Sequence, residues 1–129
     1  KTRLEQAKLR KILLDGKNVQ NCQLCGNPFA TEFLVAAHIK PRRLCSEKER
    51  LDSNIAILLC KFGCDELFEK GYLVVGSTGQ IIQNKETSNN IPNSLIKSLS
   101  ANLCVGWDKQ TNGKYFEEHR KFHFTRTED

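Results

Sequence analysis

Methionine is absent from this 129-residue sequence, tryptophan occurs once and proline three times. With Lys1 first and no methionine anywhere, the chain reads as a domain cut from a longer protein. No apolar run approaches the roughly 20 residues that cross a bilayer, and no signal-peptide pattern opens the chain, so no membrane partner is expected. There is no internal repeat, no low-complexity tract and no linker that would split the chain. Residues 1–129 therefore read as one domain. At 39% hydrophobic the chain can build one modest core, small enough for a structural metal to help. Positive charge exceeds negative by five, which suits a polyanionic partner without proving one. Four thiolates around one dication would lower that excess by two, so where the charge sits matters more than its total.

Six cysteines are what the chain does have. They allow a secreted disulfide scaffold or a zinc site with two spare thiols. Cys22 and Cys25 form a C-x2-C pair, and Cys60 and Cys64 a C-x3-C pair. Two close pairs far apart in sequence favour zinc, whereas disulfide frameworks more often scatter their cysteines. Four sulfur ligands close a tetrahedral site, which makes the ion structural. Cys45 and Cys104 are left as plain thiols and point to a reducing, cytoplasmic compartment.

The rest of the chain reads as α+β. Residues 3–14 are good helix formers with Leu4, Ala7, Leu9, Ile12 and Leu13 at roughly helical spacing, and Asp15-Gly16 ends the run. Arg3, Lys8, Arg10 and Lys11 give this helix a basic side, either solvated or set against phosphate. Gly26 lets the backbone turn tightly behind Cys25, as in a zinc knuckle, and Asn27-Pro28 marks a loop. Phe33 to Ile39 is a strand ended by Pro41, residues 40–53 an exposed loop, and Ile55 to Leu59 a second, buried strand. A helix follows from about Cys64 to Lys70, with Gly63 permitting the turn into it and Gly71 closing it. Residues 72–75 and 80–83 flank a Gly-Ser-Thr-Gly turn as a hairpin. Residues 84–93 read as a surface loop. A helix begins near Pro92 with Leu95, Ile96 and Leu99 inward, and a last one runs from Lys114 to Phe122. On that helix His119 reads as packed, and His123 is given no role.

The chemistry gathers around His38, at the end of the first strand. A histidine on an apolar strand is usually a satisfied core residue. Here Asp65 and Glu69 stand four apart on the helix that follows, so both carboxylates point the same way. They are either solvent-facing acids or ligands for a hard divalent ion. Together these groups compose a phosphodiester-cleaving site. His38 would draw a proton from water, and a metal between Asp65 and Glu69 would offset charge at the phosphate. Asn54 would orient the imidazole through its amide or its backbone carbonyl. Lys40, Arg42 and Arg43 lie where a scissile strand would run, as phosphate contacts or as an ordinary charged loop.

Ala36-Ala-His-Ile-Lys-Pro41, Asn54-Ile-Ala-Ile-Leu-Leu-Cys60 and Cys64-Asp-Glu-Leu-Phe-Glu-Lys-Gly71 together resemble the HNH endonuclease family, and most closely its restriction and defence branch. The opening helix and the late Tyr115-Phe-Glu-Glu-His-Arg120 run extend the likeness over most of the chain. The resemblance implies a ββα-metal core over about residues 20–72 and cleavage of DNA with magnesium or manganese. It implies His38 as general base and Asn54 as the family asparagine. It puts Asp65 in place of the final metal-binding histidine, Glu69 as the acid four residues on, and Cys22, Cys25, Cys60 and Cys64 as structural zinc ligands. Many members carry a metal-binding acid just before the first histidine, where this chain has Ala37. The alternative is a catalytically inactive, zinc-stapled DNA-binding module. Sequence specificity would come from a homodimer or from a recognition domain elsewhere in a longer chain.

Overall fold

The computed structural model describes residues 2–127. The described residues are mixed α+β: five helices and three separate two-stranded antiparallel sheets, joined by short 3-10 turns. One apolar cluster draws side chains from Leu9 near the start to Phe116 in the last helix.

Helix α1 (Thr2–Leu14) ends where Asp15 and Gly16 turn to positive φ, 53° and 72°. Its phase differs from the expected one. Leu9 is buried, but Leu4 is 77% and Ile12 53% exposed. The inward face instead carries Glu5, Gln6, Leu9, Arg10 and Leu13. The physical reason is a hydrogen-bonding edge. The Gln6 amide donates to the Ala36 carbonyl, and the Arg10 guanidinium donates to the carbonyls of Leu34 and Thr31. Backbone groups that would otherwise be orphaned there are worth more than another leucine contact. Arg10 is thus a structural tie, outside both roles considered for the basic side.

Strands β1 (Val19–Asn21) and β2 (Pro28–Ala30) pair with Asn21 opposite Pro28, and the cysteine knuckle is the turn between them. The segment expected as a loop at Asn27-Pro28 is therefore a strand entry, and proline is tolerated as a strand's first residue. Gln23 fastens this turn to the next sheet. Its side-chain oxygen accepts from the Leu58 N–H at 2.7 Å, and its own N–H donates to the Leu58 carbonyl at 2.8 Å.

Strand β3 (Leu34–His38) runs antiparallel to β4 (Ala56–Cys60), in register from Leu34 opposite Cys60 to His38 opposite Ala56. Every residue of β4 is buried, whereas β3 buries Leu34 and Ala36 more deeply than its other positions. The connection is more structured than an exposed loop. It holds a 3-10 turn at Arg42–Leu44, helix α2 (Glu47–Arg50) and a second 3-10 turn at Ser53–Ile55. Ser46 and Glu49 make a reciprocal capping box, and Asp52 caps the second turn.

Helix α3 (Cys64–Glu69) follows β4 after one turn and lies against both β3 and β4. Gly63, at φ 146°, makes the corner, in a conformation a side chain would strain, and a β-carbon there would strike Leu95. Strands β5 (Leu73–Val75) and β6 (Ile81–Gln83) form the expected hairpin. Helix α4 (Asn90–Leu99) starts ahead of Pro92, with Asn89 as its cap, and turns Ile96 and Leu99 inward. Helix α5 (Gly113–Thr127) is longer than expected and lies against β5. Among the described residues no helix is long and apolar enough to cross a membrane.

Candidate metal centre and adjoining cleft

The sulfurs of Cys22, Cys25, Cys60 and Cys64 all lie within 4.8 Å of one another. Three elements bring them together: the β1–β2 turn, the end of β4 and the first residue of α3. Cys22, Cys60 and Cys64 are buried and Cys25 half-buried. Zinc–thiolate bonds of about 2.3 Å in a tetrahedron put sulfurs about 3.8 Å apart, so the spacing suits a metal of that kind. The proton chemistry fits as well. Hydrogen bonds from the Cys60 and Cys64 thiols draw Cys22 far below the ordinary thiol range. Cys64 is pushed far above it, first by sharing protons with Cys22 and Cys60 and then by burial. Burial raises Cys25 to about 11. A cation bound by the four sulfurs would release their protons.

Cys45 and Cys104 stand apart from this group. The Cys45 thiol faces the carbonyls of Lys40 and Pro41, and that of Cys104 donates to the Gln23 carbonyl at 3.1 Å. Burial pushes Cys104 up to about 11, so it is an inert protonated thiol. All six cysteines are free of disulfides.

Beside the cysteine group is a cleft of about 590 Å³. His38, Arg42 and Arg43 line it from β3 and the turn that follows. Asp65 and Glu69 line it from α3, and His119 and His123 from α5. His38 is largely buried, and its Nε2 has no hydrogen-bond partner. Burial lowers its proton affinity, the Glu5 charge raises it, and Arg42 and Arg50 lower it further. The result is a neutral imidazole at neutral pH, the form a general base requires. Asp65 moves the other way: burial, then the charges of Glu69 and Glu66, raise its pKa. A carboxyl held in that state gains from a nearby cation. His38, Asp65 and Glu69 share the cleft without drawing close. Among the described residues the four cysteines are the one group compact enough for a metal.

The basic residues differ in their engagements. Lys40 pairs with Glu49 at 2.9 Å, and Arg42 donates to both oxygens of Glu5 at 2.8 and 3.2 Å. Arg43 forms no ion pair among the described residues and lies 5.2 Å from the centre of the Phe122 ring. Asn54 is exposed in the 3-10 turn and does not line the cleft. Its backbone N–H donates to Asp52.

Glu5, next to the cleft, lies beyond the sequence reading, and so does the detail of how His119 is held. Glu5 comes from α1, with its Oε1 3.7 Å from His38 Nε2. His119 is 2% exposed and stacks on Phe68 with centroids 3.8 Å apart. Its Nε2–H donates to the Phe68 carbonyl at 2.8 Å, and its Nδ1 is buried without a partner. Burial lowers its pKa to about 3, so it stays neutral. It is packed, as expected. His123 is also buried, edge-on to His119. The one sequence clue was the four-residue spacing of two histidines on an aromatic face. Compared with known proteins, the chain matches no family model and no curated protein sequence.

Proposed function

We propose that the chain is a metal-dependent DNA endonuclease of the HNH type, acting in restriction or defence. The observation that carries the reading is one cleft lined by His38, Asp65 and Glu69, built on two antiparallel strands and the helix after them. The four-cysteine group beside it would hold zinc. It would lock the corner between β4 and α3, on which Asp65 and Glu69 are mounted.

In this reading neutral His38 takes a proton from water. The hydroxide oxygen bonds to phosphorus, and the bond from phosphorus to the leaving 3′ oxygen breaks. A magnesium or manganese ion held by Asp65 and Glu69 would supply positive charge at the phosphate and at the leaving oxygen. Arg43 forms no ion pair among the described residues and lines the same cleft, so it is the best placed cation for a DNA phosphate. Lys40 and Arg42 would have to exchange an acid for the phosphate. Asn54 would act on the β3–β4 connection from outside the cleft.

A second reading is a zinc-stapled DNA-binding module that does not cut. It is favoured by Ala37, where an acid would stand, and by His38, Asp65 and Glu69 not forming a compact ligand group among the described residues. Nicking of supercoiled plasmid with magnesium or manganese, beside His38→Ala, separates the two. Nuclease action predicts metal-dependent nicking that the variant lacks. Equal inertness of both proteins with each ion overturns it, and salt-sensitive DNA retention would then favour the binding module.

A further inference from the structure

We propose that Glu5, on α1, is the positioning residue for His38, a carboxylate brought to the imidazole from another element. The inference rests on the nuclease reading for its catalytic meaning and on geometry for its existence. Glu5 Oε1 is 3.7 Å from His38 Nε2, a buried nitrogen with no hydrogen-bond partner. The same carboxylate is held by two hydrogen bonds from Arg42, at 2.8 and 3.2 Å, so it cannot swing away freely. Its backbone is fixed too. Gln6 donates to the Ala36 carbonyl, Arg10 donates to the Leu34 carbonyl, and Leu9 is buried between them. Three successive inward contacts therefore register α1 against β3, the strand that ends in His38.

The charges around His38 show what the carboxylate does. Arg42, on the turn after β3, and Arg50, on α2, both oppose a proton on the imidazole. Across the cleft stand Asp65 and Glu69 of α3 and His119 and His123 of α5. Glu5 is the anion that acts on His38 directly, and it favours the protonated ring. When His38 takes a proton from water, the imidazolium forms beside a carboxylate already in place. Without Glu5 it would form beside two arginines.

Glu5→Gln keeps the size of the side chain and removes the charge. Glu5→Asp keeps the charge and draws it back. Both are compared with wild type and His38→Ala in the full chain, with thermal melts to verify folding. The readouts are the pH dependence of plasmid nicking with manganese and the NMR titration of the His38 ring. The Glu5→Gln variant is expected to nick about 10- to 100-fold more slowly on its plateau. Its KM should be unchanged. The acid limb of its profile and the His38 titration should both move to lower pH, because the charge that favours the proton is gone. Glu5→Asp recovers part of the rate, and also serves if Glu5→Gln does not fold. A Glu5→Gln enzyme with wild-type rate and profile, beside a dead His38→Ala, overturns the proposal and leaves the nuclease reading standing. If wild type does not nick, the nuclease reading falls, and the titration alone judges the pairing. A downward shift in Glu5→Gln supports it, and an unchanged titration overturns it.

Discussion

Removing the metal from the four-cysteine group should cost the chain a large part of its stability. An ion held there would cross-link the β1–β2 turn to the start of α3, closing a loop of about 40 residues between the two cysteine pairs. Treated as a chain cross-link, that closure restricts the unfolded ensemble by about 4 kcal/mol. A domain of this size has roughly 5–15 kcal/mol in all. At roughly 3–5 °C per kcal/mol, the melting midpoint should fall by about 12–20 °C when zinc is withdrawn. The assay is a thermal melt with and without a strong chelator, beside elemental analysis for zinc. One zinc per chain and a midpoint that falls on chelation and recovers on zinc addition are expected. A chain that loses its zinc and melts at the same temperature would refute the structural role. Cys45→Ser and Cys104→Ser, outside the group, should leave zinc content unchanged.

Other consequences follow from particular contacts. If the proposed nuclease role holds, His38→Ala should lower plasmid nicking by about 10²–10⁴-fold with little change in the melting midpoint. Tyr115→Phe removes the hydroxyl that donates to Asp52 at 2.6 Å and should cost about 1.5–3 kcal/mol in a denaturant titration. An unchanged midpoint would mean that this bond merely replaces one to water. His119 is held neutral by burial, with its folded pKa at about 3, below the unfolded value near 6.5. The stability it contributes is present above about pH 6.5 and is lost as pH falls toward 3, by about 1.4 kcal/mol per pH unit. His119→Phe should flatten that acid slope in melts across the window, and a slope identical to wild type would contradict the assignment.

The legible parts of this fold were those written in local pattern. Five apolar residues between turns marked β4, and Gly63 and Gly71 bracketed α3, because a buried strand and a short helix leave their period and punctuation in the chain. The cysteine pairs were legible because metal ligands come in close pairs, and the four sulfurs do converge. The capping box at Ser46 and Glu49 was there to be read and breaks up what looked like a uniform charged loop. The inward face of α1 was not legible. Its leucines suggested one phase, while the open carbonyl edge of β3, set by pairing with β4, selected Gln6 and Arg10. Glu5 was hidden for the same reason. A carboxylate on an amphipathic helix reads as solvated until tertiary contact brings it to a histidine 33 positions away.

Anomalous scattering from crystals soaked in manganese, collected at the zinc and manganese edges, tests the central claim most directly. The account predicts zinc bound by Cys22, Cys25, Cys60 and Cys64, and a separate manganese in the cleft, on Asp65 and Glu69 and near His38. A zinc peak with no manganese in the cleft, at concentrations that support nicking, would contradict the division into one holding site and one cutting site.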